Sequence, residues 1–352
     1  MNSLVDLFFQ LVKIDSPSGF ESEVSLFISD WFRNQGLKPE IDRSGNLFVD
    51  IPGRNPPLIL SAHMDTVEPG RGIRPRITDE IIQSGGDTIL GADNKGALAA
   101  IMQSIAECPP QKNRHLEVVF SVREETDSGI GSFDFSRLES REGLIPDLGA
   151  DLGYLVTASP WIMNLELEII GKPAHASLPE SAINALTVAA RAISAAKWGR
   201  LNPDTVANLG LISGGTAMNT VPGRVKMVGE IRSFSQKHLT VAQDKILAGF
   251  SKITKASQAV LEFNSALYCR GYEFRPDDPS VTSIINVMKH QKLNVVPEKI
   301  YGASDSNVFA AHGFRVITIG DGCQNPHTVN ERISITALNQ LKDLILAYIT
   351  RA

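Results

Sequence analysis

Three short apolar runs, NLFVDI, PLILSA and LEVVFSV, lie within the first 122 residues, and helical segments are set among them. This alternation constrains the fold most. Leu4 to Ile14 has the apolar spacing of an amphipathic helix that SPSG stops, and Glu21 to Gln35 reads as a second helix ended by Gly36. After a Gly-rich loop, NKGALAAIMQSIAEC reads as a helix with small residues on one face, and the strand LEVVFSV follows. A β–α–β rhythm of this kind implies an α/β fold with a mostly parallel sheet covered by helices. Ligands in such sheets bind at the carboxyl ends of the strands.

From about Trp161 the texture changes. IMNLELEII alternates in polarity as a half-buried strand does, and SAINALTVAARAISAAKW is a long Ala-rich helix. Two strands, TVANLGLISGG and RVKMVGEIRSF, then a helix from about Gln236 to Ala256 and the strand AVLEFNSAL complete a β-α-β-β-α-β order. That order is ferredoxin-like. We read it as an α+β domain inserted at 161–271 between two parts of the α/β domain, 1–160 and 272–352. The α/β texture returns with a helix near Ser280 to Lys292, the segment GASDSNVFAAHG, the strand RVITIG and a terminal helix.

Composition narrows the function classes. The 352 residues are 43% hydrophobic and 21% charged, with a formal net charge of −5 and no long run of like charge. A nucleic-acid surface or polybasic membrane patch is therefore not expected. The N-terminal apolar segment is interrupted by Asp6, Gln10 and Lys13, which argues against a signal peptide, and no uninterrupted apolar stretch is long enough to span a membrane. Cys108, Cys269 and Cys323 are odd in number and widely spaced, so they make neither a zinc pattern nor a disulfide framework. A cytoplasmic protein is the expectation.

Four polar clusters fall where strands of the α/β domain end: His63-x-Asp65, GADNKG with Asp93, REET with Glu124 and Glu125, and NPH with His327. Each alone has an ordinary explanation, such as a surface turn, a helix cap or a solvated loop. Together they gather two histidines and several carboxylates at the sheet edge. That donor set suits Zn²⁺, Mn²⁺ or Co²⁺.

SAHMDTV, GADNKGALAAIM, FSVREE, GKPAHAS, GGTAMNTVPG, GEIRS and GASDSNVF occur in this order over nearly the whole chain. The ordered set resembles the di-metal exopeptidases that include peptidase T and glutamate carboxypeptidase, and within them the peptidase T-like branch. The resemblance implies a zinc-exopeptidase catalytic domain with the inserted domain as a lid and dimerisation module, hence a homodimer. It implies His63 as a first-metal ligand, with Asp65 fixing its imidazole tautomer. Asp93 would bridge both metals, through a cis Asp93–Asn94 bond. Glu124 would be the general base, and Glu125 and His327 ligands of the second metal. In the inserted domain, His175 resembles the histidine that stabilises the oxyanion, and Asn219 and Arg232 resemble substrate-holding residues. Gly302 and the loop to Asp305 resemble the segment lining the cleft.

One position departs from the pattern. The family places a further first-metal carboxylate on the strand leading into the inserted domain, where this chain reads GYLVTAS with Thr157 at the expected aspartate. Asp151 lies six residues earlier, before that strand. A hydroxyl is a poor Zn²⁺ ligand. The expected function is thus hydrolysis of small peptides, tripeptidase- or aminopeptidase-like, with one or two divalent cations per chain, most simply Zn²⁺. Two alternatives stay open: a non-catalytic member that binds peptides or amino-acid derivatives because of Thr157, and a carboxypeptidase or deacylase of N-acyl amino acids.

Overall fold

The computed structural model describes residues 3–109, 112–127 and 129–351. The chain divides into two compact units: Met1–Thr157 with Phe274–Lys299 and Ser304–Ala352, and Ala158–Glu273 with Ile300–Ala303. The segment Ile300–Ala303, which carries Gly302, goes with the inserted unit. Its Ile300 N–H donates to the Ala158 carbonyl at 3.1 Å, and the Ser159 hydroxyl donates to the Gly302 carbonyl at 2.8 Å.

The central sheet of the first unit contains, in spatial order, the strands Leu47–Ile51, Arg114–Ser121, Arg54–His63, Glu142–Leu148, Arg315–Gly320 and Tyr154–Ser159. Arg54–His63 pairs in parallel with both Arg114–Ser121 and Glu142–Leu148, and Arg315–Gly320 pairs in parallel with Glu142–Leu148. Leu47–Ile51 and Tyr154–Ser159 run antiparallel to their neighbours. The parallel core is thus as expected, flanked by antiparallel strands. Leu58, Ile59, Leu60 and Ala62 are buried, as are Leu116, Val118, Val119 and Phe120 beside them. Near-continuous apolar runs are what a sheet covered on both faces requires. Each fully buried Leu or Ile here contributes roughly 1.5–3 kcal/mol.

Helix Ala92–Glu107 packs against the terminal helix Ile335–Thr350 and the first helix, Ser3–Val12. Ala97, Leu98, Ala99, Ala100, Ile101 and Met102 are all buried, so this helix has no solvent face along that stretch. Its small residues let the neighbouring helices approach closely. The sequence reading missed the strand Glu142–Leu148. It also missed a small antiparallel sheet of Pro75–Thr78, Ile81–Ser84 and Arg332–Ser334.

In the inserted unit the sheet order is Gly199–Asn202, Thr205–Gly214, Arg224–Ser233, Trp161–Ile170 and Val260–Cys269, every pairing antiparallel. Without the short edge strand Gly199–Asn202, this is the ferredoxin-like order. Leu165, Leu167 and Ile169, alternating along NLELEII, face a core with Val188 and Ala192 of helix Ala185–Ala195 and Ile246 and Phe250 of helix Gln236–Ala256. Asn184 caps the first of these helices by accepting the Leu186 and Thr187 N–H groups, and Ser235 caps the second by accepting that of His238.

Candidate metal centre

His63 is the last residue of its strand, and its ring is buried. Nδ1–H donates to the Asp65 backbone carbonyl at 2.9 Å and lies 3.3 Å from Asp65 Oδ1. Nε2 faces the site, where it lies 3.2 Å from Asp93 Oδ1 and 3.3 Å from Asp147 Oδ1. Asp65 does a second job. Its Oδ1 accepts the Glu124 N–H at 3.0 Å, and its Oδ2 accepts the Glu125 N–H at 3.2 Å and the Ser18 hydroxyl at 2.6 Å. One buried carboxylate thus orients both the imidazole and the turn carrying the two glutamates. Glu21 completes that turn by accepting the N–H of Arg123, whose φ is +54°, at 3.0 Å. A non-glycine residue in that conformation needs such a tether.

On the other side of Asp93, His327 Nε2 lies 3.4 Å from Asp93 Oδ2 and 2.8 Å from Glu125 Oε1. Two candidate ligand triads result, His63–Asp93–Asp147 and Asp93–Glu125–His327, with donor atoms in each within 4.8 Å of one another. They share Asp93, which offers one oxygen to each. A third grouping, His63–Glu124–Glu125, brings Glu124 to the same place. The peptide bond between Asp93 and Asn94 is cis.

Thr157 is not part of this cluster, and here the sequence expectation needs correction. Its hydroxyl donates to the Glu298 carbonyl at 3.0 Å. The carboxylate that accompanies His63 and Asp93 is Asp147, on the missed strand. The register explains why: Gly143 sits opposite Ile59 and Leu144 opposite Leu60, so Asp147 extends the same row as His63. The local signal was present in EGLIPDLG, an apolar run ending in an acid, the same pattern that marks the other ligands.

The electrostatics show what the cluster lacks. Burial, followed by the charge of Asp93 and Glu125, pushes the Asp147 carboxyl up to about 6, although His63 opposes the rise. Burial and Asp147 likewise raise Glu124 well above the usual carboxylate range. Burial would depress His63, yet Asp147, Asp65 and Asp93 together hold it well above an ordinary imidazole. Burial also raises Asp93, but His327 and His63 outweigh it and hold the carboxyl low. Asp93 and Glu125 carry His327 up to about 10. Carboxylates this crowded repel one another, and only protons on the imidazoles and the more perturbed acids relieve them. Divalent cations would supply the missing positive charge through donors of the right kind, imidazole nitrogen and carboxylate oxygen. The residues fit a two-cation centre.

The remaining expected site residues belong to the inserted unit. His175 pairs with Thr220 across a two-residue ladder, and its Nδ1 accepts the Ser177 N–H at 3.2 Å. A neutral ring in that state carries its proton on Nε2, as a donor to an oxyanion must. The Asn219 carbonyl accepts the Ala176 N–H at 2.9 Å, and its side chain is exposed. Arg232 forks onto Glu230 at 2.8 and 2.9 Å and donates to the Tyr301 carbonyl at 2.7 Å.

Comparison with known proteins agrees with the fold. A model of the peptidase dimerisation domain matches residues 158–258. Aminopeptidase PepT of Bacillus cereus is 30% identical, with a TM-score of 0.91 over 99% of this chain and 97% of its own. A tripeptidase of Staphylococcus aureus is also 30% identical, with a TM-score of 0.94 over the same shares. An uncharacterised Bacillus subtilis protein, YqjE, is 29% identical over 99% of this chain and 98% of its length. With a di-cation donor set at the sheet edge and full-length likeness to solved peptidases, the chain belongs to the M20 family, the di-metal exopeptidases that include peptidase T.

Proposed function

We propose that this chain hydrolyses short peptides, tripeptides foremost, at the centre built on Asp93. The observation that carries this reading is the pair of triads sharing Asp93, with the half-buried Glu124 carboxylate beside them. Bound divalent cations would polarise the scissile carbonyl and make a water more acidic. His63, Asp93 and Asp147 would hold one cation, and Asp93, Glu125 and His327 the other. Glu124 accepts the proton of the attacking water on its carboxylate and returns it to the leaving amine. Asp65 keeps Glu124 in place through the backbone and holds the His63 tautomer. His175, with Nε2–H free, is the donor for the developing oxyanion. Asn219, Arg232 and Gly302 are substrate-holding residues in this reading, Arg232 exchanging its fork on Glu230 for a peptide carboxylate.

Zn²⁺ is the cation we assign, on the strength of two imidazoles among the donors. The match to a peptidase dimerisation domain supports a homodimer through the inserted domain. Among the described residues no helix is long and apolar enough to cross a membrane. The free thiols of Cys108 and Cys323 support a reducing, cytoplasmic setting. The binding-protein alternative rested on Thr157, and Asp147 removes that ground.

Glu124→Ala tests the reading. Tripeptide hydrolysis with added Zn²⁺, Mn²⁺ or Co²⁺ should fall about 10²–10⁴-fold, the range for a positioned general base. Metal content should stay near that of the wild type. Unchanged turnover would sink the assignment.

A further inference from the structure

Glu331 lies four residues after His327 and is 1% exposed. Its Oε2 accepts the backbone N–H of Leu90 at 2.8 Å and of Gly91 at 2.7 Å, and its Oε1 accepts that of Asp93 at 2.9 Å. The Cys323 thiol donates to the same Oε1 at 3.5 Å. These amides belong to the turn that begins helix Ala92–Glu107, where no intrahelical carbonyl is available to them. The turn cannot hold itself in shape. Gly91 has a φ of +72°, Asp93 a ψ of +101° and Asn94 a φ of −120°, none of them helical. Asp93 is therefore not placed by the regular ladder of the helix it introduces.

Glu331 is itself held on the loop that carries His327. Its N–H donates to the Thr328 carbonyl at 3.0 Å, and Gln324 and Arg332 exchange backbone hydrogen bonds at 2.9 and 3.0 Å to close that loop. Arg332 then pairs with Gln83 in the small sheet. One buried side chain therefore joins the loop of Asp93 to the loop of His327. Those loops supply two of the three donors in the triad Asp93–Glu125–His327.

We propose that Glu331 is a positioning residue that fixes Asp93 relative to His327, and so sets the affinity of the cation position those two residues share. The inference rests on the di-metal reading above. No other class of side chain does this as well: a carboxylate offers acceptors only, and three backbone donors converge on it. Glu331→Gln puts an amide N–H₂ against those donors. Glu331→Asp keeps the charge but withdraws it by one methylene.

The test uses the full chain. Zn²⁺ and Co²⁺ binding is followed by chelator competition, with Co²⁺ visible absorption, thermal unfolding, and kcat and KM for a tripeptide. The wild type is measured first. A wild type that takes up only one cation overturns the di-metal reading and this proposal with it. Given two, Glu331→Gln should weaken the second cation by about 10–100-fold, the usual effect of losing an outer partner of a metal ligand. Its Co²⁺ spectrum should change and kcat should fall while KM moves little. Glu331→Asp should lie between and decides alone if Glu331→Gln does not fold. A folded variant with wild-type second-cation affinity and spectrum, whatever its melting temperature, overturns the proposal.

Discussion

The sharpest consequence of the structure concerns Asp147, and Asp147→Asn is the perturbation that exposes it. The substitution keeps the shape of the side chain and removes one charge beside His63 Nε2, 3.3 Å away. Unit charges at that separation interact by about 5 kcal/mol at an effective dielectric of about 20. A divalent cation held by the same atoms gains at least as much from the carboxylate. Desolvating a carboxylate in so buried a place takes back several kcal/mol. A net loss of roughly 2–3 kcal/mol remains, or about 30- to 150-fold in affinity. Thr157→Val is the matched control, since it removes only a hydrogen bond to the Glu298 carbonyl. Chelator competition with Zn²⁺ or Co²⁺, together with metal content by mass spectrometry, measures both. Asp147→Asn should lose affinity for one cation and Thr157→Val neither. The reverse result would refute the placement of Asp147 and restore Thr157 to the site.

Two further expectations follow from the same geometry. A Cβ on Gly143 would lie 2.6 Å from both the Ile59 Cβ and the Ile59 carbonyl oxygen, so Gly143→Ala should destabilise the chain by about 1–3 kcal/mol. A denaturant midpoint equal to that of the wild type would contradict the pairing that places Asp147 beside His63. Dialysis against a chelator should abolish hydrolysis and lower the melting temperature, because cations at about 100 times their Kd stabilise the fold by about 2.7 kcal/mol. Returning Zn²⁺ should restore both, and a melting curve indifferent to metal would contradict a cation centre built into the folded core.

Much of the architecture was legible because the sequence repeats one physical pattern. Buried strands such as PLILSA must be apolar throughout, and their ends are where polar side chains reach solvent or a ligand. The polar clusters that hold His63, Asp93, Glu125 and His327 stood out for that reason, while their roles as ligands followed from the resemblance of the ordered motifs to the di-metal exopeptidases. Strand Glu142–Leu148 was harder to see, since EGLIPDL carries a glycine and a proline that read as loop signals. Gly143 is there because Ile59 leaves no room for a side chain, a fact held by the neighbouring strand and not by the local sequence. Glu21 and Glu331 were invisible for a related reason. Their partners are backbone amides of Arg123 and of Leu90, Gly91 and Asp93, and backbone amides leave no trace in residue identity.

The sequence by itself determined the two textures of the chain, parallel α/β and ferredoxin-like α+β, because hydrophobic periodicity follows the local geometry of each element. It also determined the chemical character of the centre, since imidazole and carboxylate donors are properties of the residues themselves. Only the tertiary structure decided which carboxylate stands beside His63. That choice depends on the register of two parallel strands whose paired residues, Ile59 and Gly143, are separated by more than eighty positions in the chain. Register is fixed by packing across the sheet, and packing across the sheet exists only once the chain has folded.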